Sequence, residues 1–311
     1  MSSTPSLVRI ATRESRLALR QAEMVSEALR AGHPRLAIEI VGITTRGDRV
    51  LDRPLAQVGG KGLFVKELEV ALDEGRADIA VHSMKDVPMQ VPEHFALATF
   101  GARETPFDAF VCNRHASLAA LPAGSVVGTS SLRRECQLRH RFPALEFRAL
   151  RGNVNTRLAK LDAGDYEAII LAVAGLKRLG LESRVTATLE EIIPAIGQGV
   201  LAVEYRRERA DVAQLVAPFE DRATACAARA ERALGLVVEG SCEVPVGALA
   251  AVSGERITLD AFIGLPDGTR VVRERASGAC ATAEALGDAL GNRLLAAGGR
   301  EILATLARMP A

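Results

Sequence analysis

Two hydrophobic rhythms alternate along this chain. Short apolar runs predict strands at residues 7–11, 38–44, 77–81, 95–100, 109–112, 125–128, 145–150, 168–172 and 200–205. Between them lie segments whose apolar residues recur at helical spacing. In 15–30, Ser15 can cap a helix, Leu17, Met24, Val25, Ala28 and Leu29 share one face, and Gly32 ends it. In 62–74, Phe64, Val65, Leu68, Ala71 and Leu72 turn inward. Segments 131–140 and 154–161 are predicted as further helices. This alternation predicts mostly parallel sheets with helices on both faces. The pattern changes after Pro218. A helix at 224–234 is followed by strands at 256–263 and 270–275, joined by a Pro266-Asp267-Gly268 turn, and a last helix begins near Thr282. The expectation is an α/β chain ending in a small separate α+β domain.

The bulk numbers narrow the class. A chain of 311 residues has room for two or three domains, and 48% hydrophobic content can build their cores. Aromatics make up 4% and Trp is absent, so stacking platforms for bases are scarce and no nucleic-acid partner is expected. A net charge of +1 means that any basic site is local. No apolar run reaches about 18 residues, so no membrane span is expected. Met1 to Ser6 lack the pattern of a signal peptide, which predicts a soluble cytoplasmic protein. The five cysteines form no CxxC pair and are odd in number, which argues against a disulfide framework and against a structural metal.

Charge distribution carries the chemistry. Residues 129–160 hold eight basic side chains against two acidic ones, Glu135 and Glu146, a local +6. Gly128-Thr129-Ser130-Ser131 follows a strand and opens a helix, so its N–H groups and hydroxyls suit an anion. Arg133 and Arg134 stand in the first helical turn, where the dipole disfavours a cation; that conflict points to function. A solvated basic face with an ordinary serine cap is the simpler alternative. Arg151-Gly152-Asn153 repeats the device, with Arg157 one or two turns on, and Arg13 and Ser15 form a third junction. Arginine's planar fork matches a carboxylate, so these junctions predict a carboxylate-binding cleft.

A fourth junction is Val81-His82-Ser83-Met84-Lys85-Asp86. Asp86 is the one carboxylate expected among these bases, able to stabilise a cation or move a proton. A plain ion pair with Lys85 is the alternative, and His82 reads as a packed core residue. Gly59-Gly60-Lys61-Gly62 fails the phosphate-loop pattern and reads as a closing loop. Cys242, with small polar neighbours in a loop, is either a reachable thiol or an inert one.

Together these segments resemble the porphobilinogen deaminase family. The resemblance rests on Ala11-Thr12-Arg13-Glu14-Ser15, Gly59-Gly60-Lys61-Gly62-Leu63-Phe64, His82-Ser83-Met84-Lys85-Asp86-Val87-Pro88, Gly128-Thr129-Ser130-Ser131-Leu132-Arg133-Arg134, Arg151-Gly152-Asn153-Val154-Asn155-Thr156-Arg157, Ala174-Gly175-Leu176-Lys177-Arg178-Leu179-Gly180 and Cys242, in the family's order. It implies two lobes like those of type II periplasmic binding proteins, 1–101 with 200–218 and 102–199, and a C-terminal domain, 219–311. It also implies condensation of four porphobilinogen molecules into hydroxymethylbilane, with loss of ammonia at each step. A dipyrromethane cofactor, joined to Cys242 by a thioether, is implied as well. By resemblance, Ser83, Lys85, Thr129, Ser131, Arg133 and Arg134 bind the cofactor, and Arg13, Ser15, Arg151, Arg157 and Arg178 bind the incoming pyrrole. Asp86 is the implied catalytic residue. Gly60, Lys61 and Phe64 belong to the implied lid, and a monomer is the expected state. Arg16, Ser241 and Glu243 depart from the family pattern, Glu243 by setting a negative charge near the thiol. Rival readings are a non-catalytic anion-binding protein, a regulator's effector domain and a phosphate-transfer enzyme.

Overall fold

The computed structural model describes residues 5–45, 47, 62–238 and 244–308. Its strands are β1 Leu7–Arg13, β2 Ala37–Ile43, β3 Ile79–Ser83, β4 Phe95–Phe100, β5 Asp108–Cys112, β6 Val126–Gly128, β7 Glu146–Arg148, β8 Ala168–Ala172, β9 Ala187–Leu189, β10 Leu201–Arg206, β11 Val246–Ser253, β12 Arg256–Gly264 and β13 Val271–Ala279. Its helices are α1 Arg16–Gly32, α2 Lys66–Asp73, α3 Leu132–Arg141, α4 Val154–Asp162, α5 Val173–Arg178, α6 Ala210–Val216, α7 Arg222–Val237, α8 Ala283–Leu294 and α9 Arg300–Leu306.

The first lobe's sheet runs β2-β1-β3-β10-β4 and the second lobe's runs β7-β6-β8-β5-β9. Each contains one reversed strand. β10 is antiparallel to β3 and β4, and β5 is antiparallel to β8 and β9. These are the strands on which the chain arrives from the other lobe, β5 entering the second sheet and β10 returning to the first. The expectation of mostly parallel sheets holds, with one reversed strand in each lobe. Local alternation reports βαβ units, whereas the direction of an incoming crossover strand is set by the distant sheet.

Burial explains the apolar runs. Ile79, Ala80 and Val81 of β3 and Ala168, Ile169 and Ile170 of β8 are buried in mid-sheet. On α1, the Ser15 hydroxyl accepts from the Ala18 N–H at 3.3 Å, and Ala22, Val25 and Leu29 pack on the first sheet. α2 starts later than its periodicity predicts, because Gly62 takes a left-handed φ of +84° and Val65 is not yet helical. α5, α6, β9 and β11 have no counterpart among the predicted elements. The first three are too short to establish a period, and β11 is rich in small residues.

The third sheet, β11-β12-β13, is antiparallel. Leu234 of α7 and Leu290 and Leu294 of α8 close its core over Ile257, Leu259, Ala261 and Ile263. Glycine permits the close helix contact: a Cβ at Gly287 would lie 2.2 Å from the Ala230 carbonyl oxygen. The turn joining β12 to β13 rests on α3, where His140 Nδ1 lies 2.9 Å from the Gly268 carbonyl oxygen. The C-terminal domain thus touches the helix that carries Arg133 and Arg134. Among the described residues, no helix is long and apolar enough to cross a membrane.

Candidate active site

The site forms where strands of both lobes end. β1 leads to Arg13 and Ser15, β3 to Lys85 and Asp86, β6 to Thr129 and Ser131, and β7 leads toward Arg151. Ser131 is the N-cap of α3, yet its side chain makes no capping hydrogen bond; its own N–H donates to Thr129 Oγ1 at 3.2 Å. An ordinary serine cap therefore does not explain this junction. The Ser83 hydroxyl accepts from Gln21 Nε2 at 2.7 Å.

Asp108 corrects the expectation of a single carboxylate among the bases. It is the first residue of β5, is fully buried, and lies beneath the first turn of α3. Arg133 Nη2 reaches its Oδ2 at 2.7 Å, and Arg134 Nε and Nη2 reach Oδ1 at 3.0 and 2.7 Å. Arg133 Nη1 also donates to the Ile193 carbonyl at 2.7 Å and Arg134 Nη1 to that of Ile170 at 2.9 Å. Burial would push the Asp108 carboxyl up, but Arg133 and Arg134 outweigh it and hold it well below the usual range. Two guanidinium groups share one carboxylate, so positive charge remains. Arg133 Nε and Arg151 Nε are buried without a hydrogen-bond partner among the described residues. Unmatched donors of this kind suit added carboxylates.

The rest of the basic stretch divides. Arg139 pairs with Glu135 at 2.8 Å, and the exposed Arg148 pairs with Glu146 at 3.0 Å, both outside this cluster. Arg157 belongs to it. Its Nε donates to the Gly152 carbonyl at 2.8 Å, and burial, then Arg134 and Arg151, lower its guanidinium to about 10. Asp86 acts in the opposite sense on Arg157, which links an acid of the first lobe to a base of the second. Asp86 itself is exposed, at the end of a 3-10 turn, Met84–Asp86.

Lys85 is half-buried along its length, but its ammonium ends on a buried group, with Nζ 3.2 Å from Gln198 Oε1. Burial, then Arg134, pull it down to about 8, against the opposing pull of Asp86 and Asp108. Gln198 Nε2 donates to Asp108 Oδ1 at 2.9 Å. Gln198 thereby connects Lys85 of one lobe to the Asp108–arginine group of the other. Its carbonyl accepts from Arg103 Nε at 2.9 Å. Arg103 pairs with the buried Glu231 of α7 at 2.5 Å, and Glu231 also accepts from the Gly197 N–H at 2.7 Å. Both interlobe crossovers are thus tied to the C-terminal domain.

Of the other expected residues, Arg13 stacks on Phe64 with its Cζ 4.1 Å from the ring centre. Ser15 caps α1, and Arg178 Nη2 donates to the Gly199 carbonyl at 2.7 Å. Gly60, Lys61 and Cys242 lie outside the described residues. His82 is buried beside Glu204, Nε2 to Oε2 3.0 Å, in accord with a packed core residue. Sequence reasoning missed Asp108, Gln198, Gln21, Arg103 and Glu231. Only Asp108 carried a signal, as an acid opening an apolar strand.

Fold and site define a class: a two-lobed α/β protein with basic side chains gathered around a shared carboxylate between the lobes, and a third domain packed against both. The model of the porphobilinogen deaminase dipyromethane cofactor binding domain matches residues 8–214, and that of the porphobilinogen deaminase C-terminal domain matches 225–296. The chain belongs to the porphobilinogen deaminase family. A porphobilinogen deaminase from Thiobacillus denitrificans is 56% identical over 96% of this chain and 98% of its own. One from Burkholderia thailandensis is 57% identical over 97% and 93%. Among solved structures, the methionine binding protein MetQ aligns with 69% of this chain and 90% of its own at 14% identity and a TM-score of 0.45.

Proposed function

We propose that the cleft between the lobes is where this chain carries out its family's reaction, with Asp86 as the catalytic carboxylate. The chain is a transferase of tetrapyrrole biosynthesis that condenses porphobilinogen into hydroxymethylbilane. The observation supporting the site is the shared carboxylate: Arg133 and Arg134 divide Asp108 between them, with Lys85 and Arg157 close by. Such a cluster retains positive charge for a ligand bearing acetate and propionate groups. Dipyrromethane, when bound, supplies the free pyrrole carbon on which the product grows. Ser83, Lys85, Thr129, Ser131, Arg133 and Arg134 take its carboxylates, and Cys242 is its thioether anchor. Arg13, Ser15, Arg151, Arg157 and Arg178 orient the incoming pyrrole acid, and Gly60, Lys61 and Phe64 close over it.

Asp86 accepts from pyrrole N–H groups. It offsets the positive charge that develops on the methylene carbon as the C–N bond breaks and ammonia departs. The domain division 1–101 with 200–218, 102–199 and 219–311, a monomeric state, a cytoplasmic setting and the absence of a nucleic-acid partner complete the proposal.

Intact-mass measurement tests it. Wild-type protein and Asp86→Asn should both carry an adduct of two pyrrole units, and Cys242→Ser should carry none. Ammonia release by Asp86→Asn should fall at least 100-fold. Unmodified, folded wild-type protein from a porphobilinogen-replete host would reject the anchor, and near-normal ammonia release would reject Asp86.

A further inference from the structure

One face of α7 is turned toward the first lobe. Ala228, Glu231, Arg232 and Gly235 recur along it at helical spacing. Ala228 joins the apolar cluster of Met84, Val87, Val200 and Ala202. Gly235 is where Met89 and Ile196 seat, since a Cβ there would lie 2.6 Å from Met89 Sδ and 2.9 Å from Ile196 Cδ1. Between them, Arg232 Nη2 donates to two successive main-chain carbonyls, Pro88 at 2.8 Å and Met89 at 2.9 Å. Its Nη1 lies 3.8 Å from Met84 Sδ. These three contacts bracket Lys85 and Asp86 on both sides.

We propose that Arg232 is a positioning residue for Asp86: the guanidinium, reaching from the C-terminal domain, clamps the turn 84–89 and so fixes where the carboxylate stands in the cleft. This rests on the reading of Asp86 given above. The turn's own hydrogen bonds are few: Met84 N–H to the Val200 carbonyl at 3.0 Å and Val87 N–H to the Met84 carbonyl at 3.1 Å. They hold the entry of the turn and leave the Pro88–Met89 exit to Arg232. One guanidinium nitrogen, Nη2, gives its two hydrogens to adjacent carbonyls while Nη1 faces Met84 Sδ, whereas a lysine ammonium has a single nitrogen and cannot cover both ends of the turn. Burial lowers the Arg232 guanidinium, and Glu204 in β10 acts in the opposite sense. α7 also leads along the chain into the segment that contains Cys242. One helix therefore connects the cysteine segment to the turn bearing the acid.

The test uses cofactor-loaded enzyme, with loading checked by intact mass. Arg232→Met should lower kcat roughly 10–100-fold with KM for porphobilinogen changed less than about threefold, since a displaced catalytic group costs up to about that much. Arg232→Lys should fall between it and wild type. Hydrogen exchange of peptide 84–89 should accelerate in the same order, a readout independent of turnover. If Arg232 acts through Asp86, the Arg232→Met/Asp86→Asn double variant should be no slower than Asp86→Asn alone. If Arg232→Met does not fold, Arg232→Lys and Gly235→Ala, which pushes on Met89, carry the same comparisons. A kcat within twofold of wild type, unchanged exchange, or fully additive losses would each overturn the inference and leave Asp86 in place. Normal turnover in Asp86→Asn would overturn both.

Discussion

Replacing Asp108 with Asn isolates the group on which the carboxylate site is built. The side chain is fully buried and receives three charge-assisted hydrogen bonds from Arg133 and Arg134. Asn keeps one acceptor oxygen but removes the charge, which leaves two buried guanidinium groups uncompensated. Breaking a buried pair from one side costs about 3–5 kcal/mol. At about 2 °C per kcal/mol, the thermal midpoint should fall by roughly 6–10 °C. The same assay on two forms makes the experiment sharper. Cofactor-free protein, prepared as Cys242→Ser, should show the whole loss. Loaded protein should show less, because the cofactor's carboxylates give Arg133 and Arg134 new partners. Calorimetry and urea unfolding of the four proteins measure both differences. A loss below about 1 kcal/mol in the cofactor-free form would refute the claim that Asp108 compensates the arginines. Equal losses in both forms would refute the claim that cofactor carboxylates meet them.

Two further expectations concern the neighbours of this group. Lys85, lowered by burial and Arg134 to about 8, is charged below that pH in the cofactor-free cleft. The fold favours its neutral form, so its contribution to stability is least favourable below pH about 8 and improves as pH rises toward the unfolded value of about 10.4. Carboxylate capture runs the other way. Assembly of the cofactor from porphobilinogen should slow between about pH 7 and about pH 9, one unit either side of that value, and Lys85→Met should remove this part of the profile; a slope surviving in the variant would exclude Lys85 as its source. Gly197 has a φ of +70°, and a Cβ there would lie 2.5 Å from Met84 Cγ. Gly197→Ala should therefore destabilise by roughly 1–2 kcal/mol from the backbone alone and lower kcat by shifting the turn that carries Asp86. A variant of wild-type stability and rate would show that the crossover does not support that turn.

Much of the candidate site is legible in the sequence. Arg133 and Arg134 in a first helical turn broke a local electrostatic rule, and Arg151 and Lys85 followed strand ends where α/β sheets bind ligands, with Arg157 on the helix after Arg151. The opening turn of α1 was legible because its cap and apolar stripe are local properties of consecutive residues. Asp86 was expected to stand among these bases, and its charge acts on Arg157 across the lobes. The basic count was a poorer guide. Arg139 and Arg148 raised the local charge but are paired elsewhere.

What the sequence by itself determined is local: alternating strands and helices, caps and turns, and junctions where cations stand at strand ends. Tertiary structure decided the partners. Asp108 meets Arg133 and Arg134 because β5 runs antiparallel to β8 in its sheet, 25 and 26 residues away along the chain. Arg232 reaches the Asp86 turn across 144 and 143 residues, from another domain. Periodicity and capping act between residues a few positions apart. Compensation of a buried charge depends on which surfaces meet after the lobes have closed, and no neighbouring residue in the sequence specifies that meeting.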